Sequence, residues 1–234
     1  MDIKKLAAFP LAVLLALAPA LAGPAAAKED PSNQVRKIDD AVRALEEMMK
    51  ESDKSIPVSL IEGCAGIAIL PDVIKAGLFV GGRHGKGVLL VRTTDGGWSD
   101  PAFVDIKGGS VGWQAGVQSA DIVLVFRTPR SIENIAEGKF TLGADAGIAA
   151  GPLGRSAEAS TDSDLKAEIL SYSRSRGLYA GLTLQGSSLQ EDRKANRNFY
   201  GTEISMRDIF AGKAGSAPVA AAKLKSALAS FVKD

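Results

Sequence analysis

Gly109-Ser110-Val111-Gly112-Trp113-Gln114-Ala115-Gly116-Val117 sets bulky Val111, Trp113, Ala115 and Val117 against Gly112, Gln114 and Gly116. Successive side chains of an extended chain point to opposite faces, so this is a strand with one bulky face and one nearly bare one. Something must lie close against the bare side. Leu142–Gly151 repeats the pattern, with Gly143, Asp145, Gly147, Ala149 and Gly151 on one face and Ala144, Ala146, Ile148 and Ala150 on the other. There the backbone is approached closely, or a narrow cavity opens.

All but four of the 25 glycines lie between Gly63 and Gly186, among short runs of Val, Leu, Ile and Phe. Such texture belongs to strands and turns. Strands are expected at Gly66–Leu70, Lys75–Val80, Gly87–Thr93, Ala102–Ile106, Gly109–Val117 and Asp121–Phe126, with more at Ala167–Tyr172 and Gly177–Leu184. Ser131–Glu137 reads as a short capped helix stopped by Gly138. Short connections favour antiparallel pairing, because parallel strands need crossover helices that this region lacks.

Both flanks read as helix. Val35, Ile38, Val42, Leu45 and Met49 form a helical stripe opposite charges of both signs, which suits packing on the domain better than lying on a membrane. Ser55 and Pro57 mark a second helix start. Ile204, Ile209 and Phe210 precede Gly212, and Val219–Val232 follows an Ala/Gly/Ser/Pro linker. The expected fold class is therefore α+β: a curved, mostly antiparallel sheet, open or barrel-like, with N- and C-terminal helices packed at its ends.

Lys4 and Lys5 precede an apolar stretch from Leu6 to Ala22 and small residues at Ala25-Ala26-Ala27, the pattern of a cleavable signal peptide. The expected divisions are 1–27 signal peptide, 28–212 folded domain, and 213–234 linker and C-terminal helix. Export to the periplasm follows, with membrane association left open. Cleavage after Ala27 removes Asp2, Lys4 and Lys5 and leaves 26 basic against 26 acidic residues. A balance near zero offers no long-range steering and no basic footprint for nucleic acid. Cys64 is the one cysteine, so no internal disulfide forms, and its apolar surroundings suit a buried small hydrophobe.

Several segments follow one another as they do in SYLF domains, also called Ysc84 actin-binding domains. They are Ile56-Pro57, Ala65-Gly66-Ile67-Ala68-Ile69-Leu70-Pro71, Lys75-Ala76-Gly77, Val80-Gly81-Gly82 and Gly85-Lys86-Gly87-Val88. Trp98-Ser99-Asp100-Pro101, Gly143-Ala144-Asp145, Gly151-Pro152-Leu153-Gly154-Arg155, Ser171–Leu178 and Asn198-Phe199-Tyr200-Gly201 continue the series. The chain resembles that family from about residue 36 to 212. The resemblance implies binding of membrane lipid, phosphoinositides in eukaryotic members, and association with actin filaments in fungal ones. It brings no mapped site residues.

The residues themselves suggest one anion site. Lys75, Arg83, His84, Lys86 and Arg92 fall on or beside an expected hairpin tip, Gly81–Gly87, whose amides would lie among basic side chains. Arg174 and Arg176, in a Ser/Tyr/Arg run, are further candidates for a phosphate. Trp98 and Trp113 suit either the core or a membrane interface. Asp145 is expected in a buried strand, paired with a cation such as Arg155 or Arg174.

Catalysis finds little support. His84 is the only histidine, Gly-x-Ser-x-Gly is absent, and Gly87 stands where a P-loop needs Ser or Thr. A non-enzymatic lipid-binding protein without cofactor is the expected function, with a groove beside the small residues accepting an acyl chain. The partner is then a phospholipid or other amphiphile. The alternative is a rigid platform for an envelope protein.

Overall fold

The glycine-rich middle of the chain does not divide into short strands. The protein, seen here as a computed structural model, is described over residues 31–50, 55–138, 140–154, 167–175, 178–179 and 184–232. The expected signal peptide lies outside them. Six of the expected strands merge into two, β1 (Gly66–Val91) and β2 (Ala102–Phe126), paired antiparallel from Gly66 with Phe126 to Leu89 with Ala102.

Two irregularities bend this ribbon, between Leu70 and Val73 and between Gly77 and Phe79. At the first, Asp72 has φ 51 and donates its backbone N–H to the Asp121 carboxylate at 2.9 Å. Such bulges add bend and twist to a ladder. The two limbs of β1 are thereby brought face to face. A Cβ on Gly87 would stand 2.1 Å from the Ile69 carbonyl oxygen, one on Gly85 2.6 Å from Val73 Cγ2, and one on Gly66 2.8 Å from the Leu90 carbonyl. Glycine is needed there for want of room; the expected bare face of Gly112, Gln114 and Gly116 lies outside the described side chains.

The other edge of β2 is shared. β4 (Ile169–Ser175) pairs with Asp121–Phe126, and β6 (Ser188–Glu191) with Val104–Lys107. β3 (Ile148–Ala150) runs parallel to β4, and β5 (Leu178–Tyr179) antiparallel to it. The order β1-β2-β4-β3 makes a curled, mostly antiparallel half-barrel, so the architecture is α+β as expected. The expected strand at Leu142–Gly151 shrinks to β3. Gly143–Asp145 forms a turn instead, tied by the Asp145 carboxylate, which accepts the Thr141 N–H at 2.7 Å. Asp145 is exposed, contrary to the expected buried pairing, and Arg174 bonds Glu47; Arg155 lies outside the described residues.

Alternation along β1 and β2 feeds two cores. Ile67, Ile69, Val88, Phe103 and Val123 point outward beneath three helices: α1 (Pro31–Met49), α4 (Arg193–Tyr200) and α6 (Val219–Ser230). Leu70, Leu89, Val104, Ile122 and Phe126 point inward, toward α3 (Pro129–Ala136), α5 (Met206–Phe210), Phe140 and Leu189. The terminal helices therefore pack against the outer face of the sheet. Short α2 (Val58–Glu62) leads into β1. Ala221, Leu224 and Leu228 of α6 are fully buried in the same core as Ile38, Ala41 and Leu45 of α1. The C-terminal helix thus contributes to the domain's core.

Candidate functional site

Gly81–Gly87 is continuous strand, not a hairpin tip: its residues pair with Val104–Ser110 throughout. Successive amides of an extended strand point to opposite edges and so do not converge into an anion-binding nest. Alternation then splits the basic residues. His84 and Lys86 point outward, whereas Arg83 points inward and is 5% exposed, with Nη1 donating to Ser187 Oγ at 2.9 Å. Lys75 lies across the bulges on the other limb, half-buried on the same side as Val73.

Arg92 sits at the far end of the ribbon. Its guanidinium stacks on Trp98 at 4.0 Å and donates to the carbonyls of Ile61 at 2.7 Å and Gly96 at 3.0 Å. Arg174 bonds Glu47 at 2.9 Å on the C-terminal turn of α1, and Arg176 lies outside the described residues. Of the expected set, only His84 and Lys86 share a local surface.

Lys107 joins them from the facing strand, opposite His84. Nothing in the sequence marks Lys107, since its position across from His84 depends on a register that no local motif encodes. Lys86 Nζ reaches Asp192 at 2.8 Å, and Lys107 Nζ reaches Asp105 at 2.6 Å. Burial pushes the Asp192 carboxyl up. The Lys86 contact and the Ala195 N–H outweigh that and hold it below the usual range. Positive charge here is therefore largely answered by carboxylates already present.

The same outward face carries a bare, partly aliphatic shelf where the ribbon bends. Val117 is 72% exposed and Ile74 50%; Val117 pairs with exposed Ala76, and Ile74 with Ser119. Further along, Gly82 pairs with Gly109, and a Cβ added to either would meet nothing within 4 Å. Aliphatic groups thus stand at one side of the shelf and His84 and Lys107 at the other. The sequence shows Val117 as part of a strand's bulky face, which usually means core; nothing local reveals that no helix covers it.

The expected acyl-chain groove is not found along the described glycines. A Cβ on Gly151 would stand 2.1 Å from Tyr172 Cζ, one on Gly108 2.5 Å from Ser187 Oγ, and one on Gly143 2.9 Å from Gln185 Cγ. As with Gly66, Gly85 and Gly87, the protein's own groups fill the space. Trp98 is buried rather than set at an interface, and the Trp113 side chain lies outside the described residues. Cys64 is buried, with Sγ 3.2 Å from the Ile61 carbonyl it donates to, and burial pushes its thiol up to about 11. No helix among the described residues is long and apolar enough to cross a membrane.

Residues 107–231, from the first part of β2 through α6, match the family model described as Ysc84, Las17-binding protein actin regulator. The chain belongs to the Ysc84 family. SH3 domain-containing YSC84-like protein 1 of Bos taurus is 37% identical over 209 residues, which cover 87% of this chain and 61% of the relative. LAS seventeen-binding protein 3 of Saccharomyces cerevisiae is 37% identical over 165 residues, 69% of this chain and 36% of the relative. Protein YSC84 of the same yeast is 37% identical over 172 residues, 72% and 36% of the two chains. The chain thus spans less than two thirds of the length of these Ysc84 relatives, two of which are named for an SH3 domain or for binding a protein.

Proposed function

We propose that this chain is a non-enzymatic binding module of the cell envelope, exported by a cleaved leader, that docks a protein partner on the outer face of its folded ribbon. The observation that carries this reading is the shelf of Ile74, Ala76, Val117, Gly82 and Gly109, exposed on an otherwise helix-covered face. Exposed aliphatic groups on a rigid sheet suit a partner surface, and bare glycines let a partner's backbone come close. Names of Ysc84 relatives that refer to protein binding agree with it.

A photo-crosslinking residue at position 117, introduced in cells producing the chain, tests the proposal. A discrete crosslinked polypeptide, lost in the Ile74→Glu background, is the expected result. No crosslink, or one indifferent to Ile74→Glu, would remove the shelf as the docking face.

A lipid-binding reading rests on the same surface, because Ile74 and Val117 expose aliphatic groups on one face with polar His84 and Lys107, an arrangement that suits the boundary between acyl chains and headgroups. It is a reading of surface contact, since around Gly66, Gly85, Gly87, Gly108, Gly143 and Gly151 the protein's own groups fill the space. Flotation with phosphatidylglycerol vesicles separates the two: binding that Val117→Glu abolishes supports lipid contact, and protein that stays at the bottom of the gradient excludes it.

A further inference from the structure

The strand order β1-β2-β4-β3 leaves β1 at the edge of its sheet, and among the described residues β2 is the only strand paired with it. An edge strand offers a row of backbone donors and acceptors to another chain, and folds normally blunt it. Here the blunting is uneven. Pro71 has no N–H to give, and the Asp72 N–H is taken by the Asp121 carboxylate at 2.9 Å. The second irregularity follows Gly77. Between these interruptions the five residues Val73–Gly77 keep unbroken register with Gly116–Ala120, a length typical of a strand.

The side chains of this stretch say what it would accept. Ile74 and Ala76 are exposed on the outer side, continuous with Val117 across the ladder. Lys75, between them, turns to the inner side and is half-buried, and among the described residues no carboxylate lies within 4.0 Å of it. Residues directly opposite on paired strands share a face, and successive residues alternate between faces. Aliphatic side chains opposite Ile74 and Ala76 would extend the shelf outward, and a carboxylate opposite Lys75 would answer its charge. A second copy of this chain does not meet that demand. Antiparallel pairing of the stretch with itself about its midpoint sets Lys75 against Lys75, a destabilising like-charge pair.

We propose that the partner docks by adding a strand to β1 along Val73–Gly77, through an extended segment that reads aliphatic, acidic, aliphatic. This rests on the docking reading of the outer face and names the part of the partner that the face takes. Backbone hydrogen bonds along the edge supply affinity, and the alternating side chains supply selectivity.

Fluorescence polarisation of the full chain with a short labelled peptide centred on Val-Glu-Val tests this, beside a Val-Lys-Val peptide and a Val-Glu-Val analogue N-methylated through that triplet. The Val-Glu-Val peptide is expected to bind about fivefold or more tightly than Val-Lys-Val. The N-methylated analogue, which cannot pair along a strand, is expected not to bind. Lys75→Glu should reverse the preference and Lys75→Gln should level it, with melting temperatures within a few degrees of the parent.

No binding of Val-Glu-Val, equal affinity for either control peptide, or a preference that Lys75→Glu leaves unchanged would each overturn the proposal. So would a dimer in sedimentation of the full chain that Ile74→Glu dissolves, since the occupant would then be a second copy. A crosslink at position 117 that persists unchanged in Lys75→Glu would leave the docking face standing and remove strand addition; absence of that crosslink in the parent would remove the docking face and this proposal with it.

Discussion

Gly87 and Ile69, eighteen positions apart in one strand, touch: a Cβ on Gly87 would lie 2.1 Å from the Ile69 carbonyl oxygen and 2.7 Å from Leu70 Cα. Both obstacles are backbone, so neither can rotate away. Gly87→Ala is expected to destabilise the fold by about 3 kcal/mol or more, the range of severe overpacking. Gly82→Ala, five residues earlier with nothing within 4 Å, is the control and should change stability by less than about 0.5 kcal/mol. Urea unfolding of the two variants beside the parent checks the pair.

Leu224 is fully buried between α6 and the outer core. Leu224→Ala should cost about 2–5 kcal/mol, as for other large-to-small core changes. A chain ended at Ser216 should lose stability by at least as much and expose the α1 stripe, readable as increased binding of a hydrophobic dye.

Asn196 is wholly buried and joins three elements. Its Oδ1 accepts the Phe103 N–H at 2.7 Å, and its Nδ2 donates to Glu191 Oε1 at 3.0 Å, which also accepts the Met206 N–H at 2.6 Å. Asn196→Leu would strand the Phe103 amide and is expected to cost about 1–3 kcal/mol. Asn196→Asp keeps the acceptor for Phe103 but sets a carboxylate against Glu191, so its penalty should shrink as pH falls from 7 to 4. Chemical denaturation at both values distinguishes the variants.

Burial, reinforced by the neighbouring Asp72 charge, pushes the Asp121 carboxyl above its usual range; the Asp72 N–H, Arg174 and Arg43 oppose the shift without cancelling it. With the folded-state value above the unfolded one, the native protein holds more protons in the window between them. Stability must therefore fall as pH rises from about 4 through that window. Asp121→Asn keeps an oxygen for the Asp72 N–H and removes the titration. Its unfolding free energy should lack this decline, and relative to the parent the variant should gain between pH 4 and 7.

How far the sequence discloses this molecule depends on whether each signal is local. The helix stripe at Val35–Met49 and the Val219–Ser230 helix follow from spacing alone. Glycine spacing reveals a sheet with a bare face, but Gly81–Gly87 looks like a turn in every local respect. Only pairing with Val104–Ser110, 17 to 29 residues on, keeps it extended. α4 escapes because Ala195 and Phe199 are its only buried apolar residues, although Asp192 caps it and Gly201 ends it at φ 74. Sequence proximity groups the basic residues, whereas strand alternation sends Arg83 and His84 to opposite faces. Val117 and Ile74 remained hidden among core-like residues, since exposure depends on where the covering helices stop.

Because α6 completes a layer that begins with α1, the outer core cannot close until residues 221–228 have left the ribosome. Gly66 likewise waits for Phe126 before its strand has a neighbour. A nascent chain with both dependencies leaves the apolar stripe of α1 uncovered by α6 until that late helix emerges, so this layer is the last to settle.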